Sequence, residues 1–535
     1  MKVGAEGGGA GSREPRAVVV DGRTLTPSQV EAVARAGAPV TLAAEAALSV
    51  KASRAALERM LDREEPIYGV STGFGRLANV RIPRERQRIL QVNLVRSHAA
   101  GTGTPLPTAQ VRAMLLLRAN ALARGESGCR LAVVERILDL LNNRIHPVIP
   151  EVGSVGASGD LAPLAHMALA LIGEGSVETA ERTEAGDRIE PSRAAMRAAG
   201  LEPLDLVEKE GLALVNGTQA TTGIGILAVA RFGRALDTAD VAGAMSLEGL
   251  RGTPSPFRSR IHAARPHPGQ ITSARRLRAL LVDSEIRESH RAGDARVQDA
   301  YSLRCMPQVH GAAREAYDYA ERILATEANS TTDNPLVFAE EGEVVSGGNF
   351  HAQIVAQCLD LVAIAAADLA SISERRIERL LNPDLSGLPA FLAYDPGICS
   401  GMMVAQIAAA DALSEMRVLA APASVDSVST SAAQEDHVSM GMAAARKIRR
   451  SVHLLEVVLA AEVLCATQAI EFQRPLKAGR GVERAFARIR GRIGPYRDDR
   501  PLSEDLDAVI EIVAAGELAS DALLEPSGQG DGHED

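Results

Sequence analysis

The sequence predicts an all-α protein, a long central up-and-down helical bundle with a smaller mixed N-terminal part. Three observations carry this. The chain of 535 residues has no Trp, six Tyr and eight Phe, so its core is built from Leu, Ile, Val and Ala. Such side chains suit closely packed helices better than an aromatic-rich sandwich or propeller. Residues 349–381 and 443–472 keep a helical spacing of apolar positions along their whole length. Helices that long exceed the usual globular length and point to a bundle, commonly one shared between subunits. A monomeric helical scaffold would give the same pattern.

Taken in order, residues 1–15 and 526–535 read as flexible tails. The first is Gly-rich and lacks the apolar segment of a signal peptide. Residues 16–220 form an N-terminal domain and 221–525 the helical bundle domain, with no low-complexity linker between them. Residues 17–20 read as a strand, and 28–36, 83–98 and 108–123 as helices. Pro147 and Pro150 break the pattern before a Gly/Ser-rich turn at 153–159. A helix follows. Asp160 is its N-cap, Pro163 sits in its first turn, and Leu164, Met167, Ala168 and Leu171 share one face. Gly173 and Gly175 end it. The helix over 443–472 is stopped by Pro475.

Charge and cysteine content exclude several function classes. Lys and Arg total 58 against 68 Asp and Glu, a net charge of -10. That excess of acid argues against nucleic acid or an anionic membrane as partner. The basic run 446–450 is short and reads as a solvated helix face. The five cysteines (Cys129, Cys305, Cys358, Cys399, Cys465) are widely spaced with no CxxC. They read as free thiols of a cytoplasmic protein, with no metal site. No run of about 18 uninterrupted apolar residues marks a membrane span.

The most informative segment is Gly153-Ser-Val-Gly-Ala-Ser-Gly-Asp-Leu-Ala-Pro-Leu-Ala-His166. An isolated Ala-Ser-Gly reads equally as an ordinary helix-entry loop, and it is the fourteen-residue context that distinguishes it. With it come Tyr68-Gly-Val-Ser-Thr-Gly-Phe-Gly75, Gln91-Val-Asn-Leu-Val-Arg-Ser-His98, Gly211-Leu-Ala-Leu-Val-Asn216, Gln298-Asp-Ala-Tyr-Ser-Leu-Arg304, Ser346-Gly-Gly-Asn-Phe350 and Gln434-Glu-Asp-His-Val-Ser-Met440. In this order, over about residues 20 to 520, they resemble the histidine, phenylalanine and tyrosine ammonia-lyase and aminomutase family.

The resemblance implies an electrophile made from the chain itself. The amide nitrogen of Gly159 attacks the carbonyl of Ala157, and loss of two waters, one from the Ser158 side chain, leaves a methylidene-imidazolone (MIO). Bonding to the substrate amine would improve a poor leaving group, as a cofactor's electron sink does. Tyr68 matches the family's base at the β-carbon. Its pKa of about 10 must be lowered for that task, and helix N-termini would do so. Arg304 matches a carboxylate clamp, since a guanidinium grips a carboxylate with two parallel bonds. Its plainer reading is a surface ion pair. Tyr301 shares its face if this stretch is helical. Asn216 and Gln308 match polar residues around the ring and the amine, and Phe350 a ring packed beside it. Asp160 is compatible with both helix capping and help in ring closure. The family implies a homotetramer whose sites draw on three subunits, with no metal.

Substrate choice rests on Ser97-His98, the pair of histidine ammonia-lyases. His98 and Glu435 would hold the two imidazole nitrogens, one as donor and one as acceptor. The resemblance therefore implies elimination of ammonia from L-histidine to give trans-urocanate. A tyrosine or other aromatic amino acid lyase or 2,3-aminomutase is the alternative, and a catalytically dead helical scaffold is the non-enzyme one. Ala433, Met416, Gln353 and His310 depart from the usual histidine-branch pattern.

Overall fold

A computed structural model describes residues 16–63, 66–183, 186–294 and 296–519. The tails expected at 1–15 and 526–535 lie outside the described residues. The chain divides into two units. The first holds residues up to 226 together with 325–352 and 427–442, and the second holds 227–324, 353–426 and 443 onward. The first unit is therefore assembled from three stretches of chain, where the sequence suggested one.

The first unit is mixed. Among its described residues the strands form four small sheets, including the parallel pair Val18–Val20 with Val40–Leu42 and the antiparallel hairpin Leu336–Phe338 with Glu343–Val345. Pro27–Ala36 opens with a capping box, in which Thr26 and Gln29 each satisfy the other's backbone N–H. Gly37, at φ 68°, closes it. Thr108–Ala123 is buried continuously from Gln110 to Ala123, its polar Arg112, Arg118 and Asn120 included. In Leu161–Leu171 the four residues predicted to share a face, Leu164, Met167, Ala168 and Leu171, are all buried. Asp160 occupies the N-cap position, but its side chain caps nothing. Thr221 has taken it instead, as described below.

The second unit has helices and no strand among its described residues. Gln353–Leu381 and Gly441–Glu471 correspond to the two long periodic stretches. Two further long helices, Gln219–Gly249 and Met306–Ala328, were not singled out by periodicity. The first carries several glycines, each unfavourable in a helix by about 1 kcal/mol. Packing explains them. A Cβ at Gly233 would stand 2.7 Å from Tyr317, at Gly243 2.3 Å from Met306 Sδ, and at Gly249 2.8 Å from Ala469. Ring-poor composition and close helix approach are thus one property.

Several buried polar groups in this unit are paired. Glu462 accepts from Ser246 Oγ at 2.7 Å and from Arg376 Nη2 at 2.8 Å. His310, one of the departures from the histidine-branch pattern, lies buried with Nδ1 2.8 Å from Asp240. Burial would raise Asp240, but Arg314, His310 and Arg276 outweigh it and hold its pKa at about 2. The basic run is solvated only in part: Lys447 meets Asp360 at 2.6 Å, while Arg450 stays exposed and meets Glu415 at 2.7 Å. Gln353–Leu381 and Gly441–Glu471 are long and apolar enough to cross a membrane, but the apolar window of the second is 89% buried within the chain. None of the five cysteines forms a disulfide, and burial pushes the Cys129 thiol up to about 12.

Candidate active site

The Tyr68 loop is shaped by its glycines. Gly69 has φ 67°, and a Cβ there would stand 2.5 Å from Leu212 and 2.7 Å from the Phe74 ring. Only glycine accepts both the left-handed backbone and the crowding. The loop returns on itself so that the Gly75 N–H donates to Tyr68 Oη at 3.0 Å. Phe74 packs edge-on against the Tyr68 ring, with centroids 6.3 Å apart. The expected lowering of Tyr68 is not found within this chain. Burial raises its pKa above 10, the Gly75 N–H opposes that, and the Glu435 charge raises it further.

The Ala157-Ser158-Gly159 turn is doubled tightly. Gly159 has φ 78°, and a Cβ on it would stand 2.2 Å from Gly217 O. Asp160 N–H donates to Gly217 O at 2.7 Å, and Ser154 Oγ donates to Gly159 O at 3.2 Å. The Asp160 carboxylate is buried and accepts from Thr221 N at 2.8 Å and Thr221 Oγ1 at 2.6 Å. Burial outweighs these bonds and pushes its pKa up to about 6. Asp160 therefore fastens the loop to the start of Gln219–Gly249 instead of capping its own helix. Asn216 Nδ2 donates to Ser158 O at 2.9 Å, while Asn216 Oδ1 is buried without a partner.

These segments converge on one cavity of about 770 Å³ in the first unit. Tyr68, His98, Ser158, Asn216, Phe350 and Glu435 all line it. Ser158 Oγ donates to Glu435 Oε1 at 3.1 Å, and Thr430 Oγ1 donates to Glu435 Oε2 at 2.8 Å. His98 Nδ1 lies 2.9 Å from Leu94 O. A carbonyl only accepts, so Nδ1 carries the proton and Nε2 of the neutral ring is an acceptor. Burial lowers the His98 pKa, against the Leu94 bond and the Glu435 charge, which keeps the ring neutral near pH 7. The predicted donor and acceptor pair is thus two acceptors, the His98 ring and the Glu435 carboxylate.

Tyr301, Arg304 and Gln308 are not among the residues lining that cavity. They belong to the second unit, where Arg304 and Gln308 line a separate cavity of about 400 Å³. Tyr301–Arg304 is a single helical turn, as the shared face requires, with the guanidinium 4.5 Å from the Tyr301 ring centroid. Tyr301 is 71% exposed. Arg304 Nε and Gln308 Oε1 are buried without hydrogen-bond partners. Three residues that sequence reasoning passed over have clear positions here. Thr430 and Thr221 hold Glu435 and Asp160. Gln298 lines the Arg304 cavity, and its signal was its place three residues before Tyr301 in the same motif. No group of three or more metal-ligating side chains occurs among the described residues.

A profile of aromatic amino acid lyases matches residues 25–491, and the chain belongs to that family. It is a carbon–nitrogen lyase. The chain is 52% identical to a histidine ammonia-lyase of Myxococcus xanthus (strain DK1622), covering 94% of this chain and 97% of the relative. Among solved structures, the histidine ammonia-lyase from Trypanosoma cruzi superposes with a TM-score of 0.87 at 42% identity, covering 95% of this chain and 96% of that one. Tyrosine aminomutase from Streptomyces globisporus superposes with a TM-score of 0.89 at 38% identity, covering 95% and 99%.

Proposed function

We propose that this protein eliminates ammonia from L-histidine and releases trans-urocanate, acting as a cytoplasmic homotetramer with shared active sites. The observation that carries the substrate is the placement of His98 and Glu435 in the same cavity as Ser158. The first is a ring-nitrogen acceptor and the second a carboxylate, so together they suit the two N–H groups of a protonated imidazole and neither suits an unsubstituted phenyl ring.

The Ala157-Ser158-Gly159 turn fits the MIO group that the family resemblance implies. Its backbone is folded back at Gly159, where no Cβ fits, and the Ser158 carbonyl is already held by Asn216. Once formed, the ring supplies an electrophile for the substrate amine. Asn216 Nδ2 then stabilises charge at the Ser158 oxygen, the task of an oxyanion-hole donor. Its unpartnered Oδ1 is an acceptor available to an amine N–H. Phe350 gives the cavity an apolar wall.

Tyr68 Oη takes the β-hydrogen in this reading. Within one chain its pKa is raised, so the base needs a cation beside it. Arg304 of another subunit would supply one and would grip the substrate carboxylate. The exposed Tyr301 and the unpartnered polar atoms of Arg304 and Gln308 support a half-site completed by assembly. Five cysteines without a disulfide support a reducing compartment.

A panel of histidine, tyrosine and phenylalanine tests the substrate. Each unsaturated product has its own ultraviolet band, and chromatography reveals any β-amino acid. Histidine turnover, with a two-water mass deficit on the tryptic peptide spanning Ser158, is expected. Turnover of tyrosine without histidine would move the protein to the aminomutase side of the family, where the structural likeness is as close.

A further inference from the structure

Arg118 lies in Thr108–Ala123 with its side chain fully buried. A guanidinium removed from water must have its N–H groups taken up by acceptors. Here three of the four acceptors lie on one short piece of chain, while Nε is buried without a partner. Nη1 donates to Asn216 O at 3.0 Å, to Gln219 Oε1 at 2.9 Å and to Thr332 O at 3.2 Å. Nη2 donates to Ala213 O. The acceptors Ala213, Asn216 and Gln219 span the break between the helices Glu210–Val215 and Gln219–Gly249. Asp333, nearby, is held by Lys209 Nζ at 2.8 Å.

That break is the floor of the Ala157-Ser158-Gly159 turn. A Cβ at Gly217 would stand 2.4 Å from Arg118 Nη1, so the guanidinium lies directly against the backbone there. The same Gly217 carbonyl would meet a Cβ on Gly159 at 2.2 Å and accepts the Asp160 N–H at 2.7 Å. The order is therefore Arg118, then Asn216-Gly217, then Ser158-Gly159-Asp160, each layer in contact with the next. Asn216 is joined to both sides, by its carbonyl to Arg118 and by its amide to Ser158 O. It sits in an extended conformation just past a helix end (φ -96°, ψ 103°), where its N–H still donates to Leu212 O at 3.0 Å while its carbonyl accepts from Arg118. Sequence reasoning gave this arginine no role, because nothing adjacent to it in the chain is catalytic.

The geometry points to Arg118 as a positioning residue for the lyase reaction, a buried cation that holds Asn216 so that its amide meets the Ser158 oxygen. Lys keeps the charge but cannot reach Asn216, Gln219, Thr332 and Ala213 at once, because it lacks the planar fork. This inference rests on the lyase reading above.

The experiment is a double-mutant cycle on the full-length protein between R118K and Asn216→Ala. kcat is expressed per mole of Ser158 peptide that carries the two-water deficit. R118K should lower kcat by about 10- to 100-fold, the scale of a misplaced group near the chemistry, with KM changed by less than about threefold. In the Asn216→Ala background the same substitution should change kcat by less than about threefold, because the group through which it acts is gone. An unchanged kcat in R118K, or an equal loss in both backgrounds, would overturn the proposal. If R118K yields no folded protein, Gln219→Ala takes its place in the cycle, with a smaller loss that must also vanish with Asn216. A wild-type peptide without the deficit would refute the lyase reading itself, and so is told apart from failure of the Arg118 proposal.

Discussion

Replacing Glu435 with Gln separates substrate recognition from the rest of the site. Glu435 accepts from Thr430 at 2.8 Å and from Ser158 at 3.1 Å, and Gln keeps its length, its shape and an acceptor for Thr430. What it loses is charge and one of its two acceptor oxygens. A hydrogen bond to a charged group contributes roughly 1.5–3 kcal/mol and a neutral one roughly 0.5–1.5. The difference of about 1–1.5 kcal/mol is a loss of about 5- to 13-fold in kcat/KM for histidine. With the ring bound as an imidazolium, the loss should disappear for whichever ring-N-methylated histidine lacks the N–H that faces residue 435, and persist for the other. The same change removes the charge that raises Tyr68, so the ascending limb of the pH–rate profile should move to lower pH. The assay is the initial rate of unsaturated product formation, followed by absorbance across that limb for all three substrates. An equal loss on histidine and both methylated forms, or a limb that moves to higher pH, would refute the assignment of Glu435 as the imidazole acceptor.

Gly159→Ala places a Cβ 2.2 Å from Gly217 O on a backbone at φ 78°. It should destabilise the loop by about 1–3 kcal/mol and abolish both turnover and the two-water deficit, and a fully dehydrated variant peptide would contradict this. If sites are shared between subunits, co-expressed Tyr68→Phe and Arg304→Ala chains should regain activity that neither has alone, and mixtures that stay inactive count against sharing. Burial pushes Glu248 up to about 7, against the bonds from Gly479 N–H and Ser284 Oγ. Its folded pKa is raised above the ordinary 4.5, so its stabilisation is complete below 4.5 and lost as pH rises through 7. Thermal melts should lose about 3 kcal/mol of stability across that window, and Glu248→Gln should flatten the dependence.

Legibility followed the range of the interactions involved. The Tyr68 loop and the Ala157-Ser158-Gly159 turn were readable because their geometry is local: glycines at φ 67° and 78° fold a few residues onto themselves. The helix Leu161–Leu171 was readable for the same reason. Asp160 was misread as a cap because its neighbours in sequence favour one, while Thr221, sixty-one residues away, supplies two better donors. Gln219–Gly249 was missed because its glycines argue against a helix until Tyr317, Met306 and Ala469 are seen packed against them.

The candidate site itself mixes these ranges. Ser158 and Glu435 meet at 3.1 Å across 277 residues of chain, which no spacing argument predicts. Only motif order over the whole chain placed them in one function. The residues that the chain does not bring to the first cavity are the informative remainder. Arg304 and Gln308 keep buried polar atoms without partners, Tyr301 stands exposed, and Tyr68 lacks the cation a base would need. Each deficiency is a desolvation or electrostatic cost that one polypeptide leaves open. A single contact with a second copy, bringing the guanidinium of Arg304 to the phenol of Tyr68, would relieve the acid–base mismatch and complete the carboxylate clamp together.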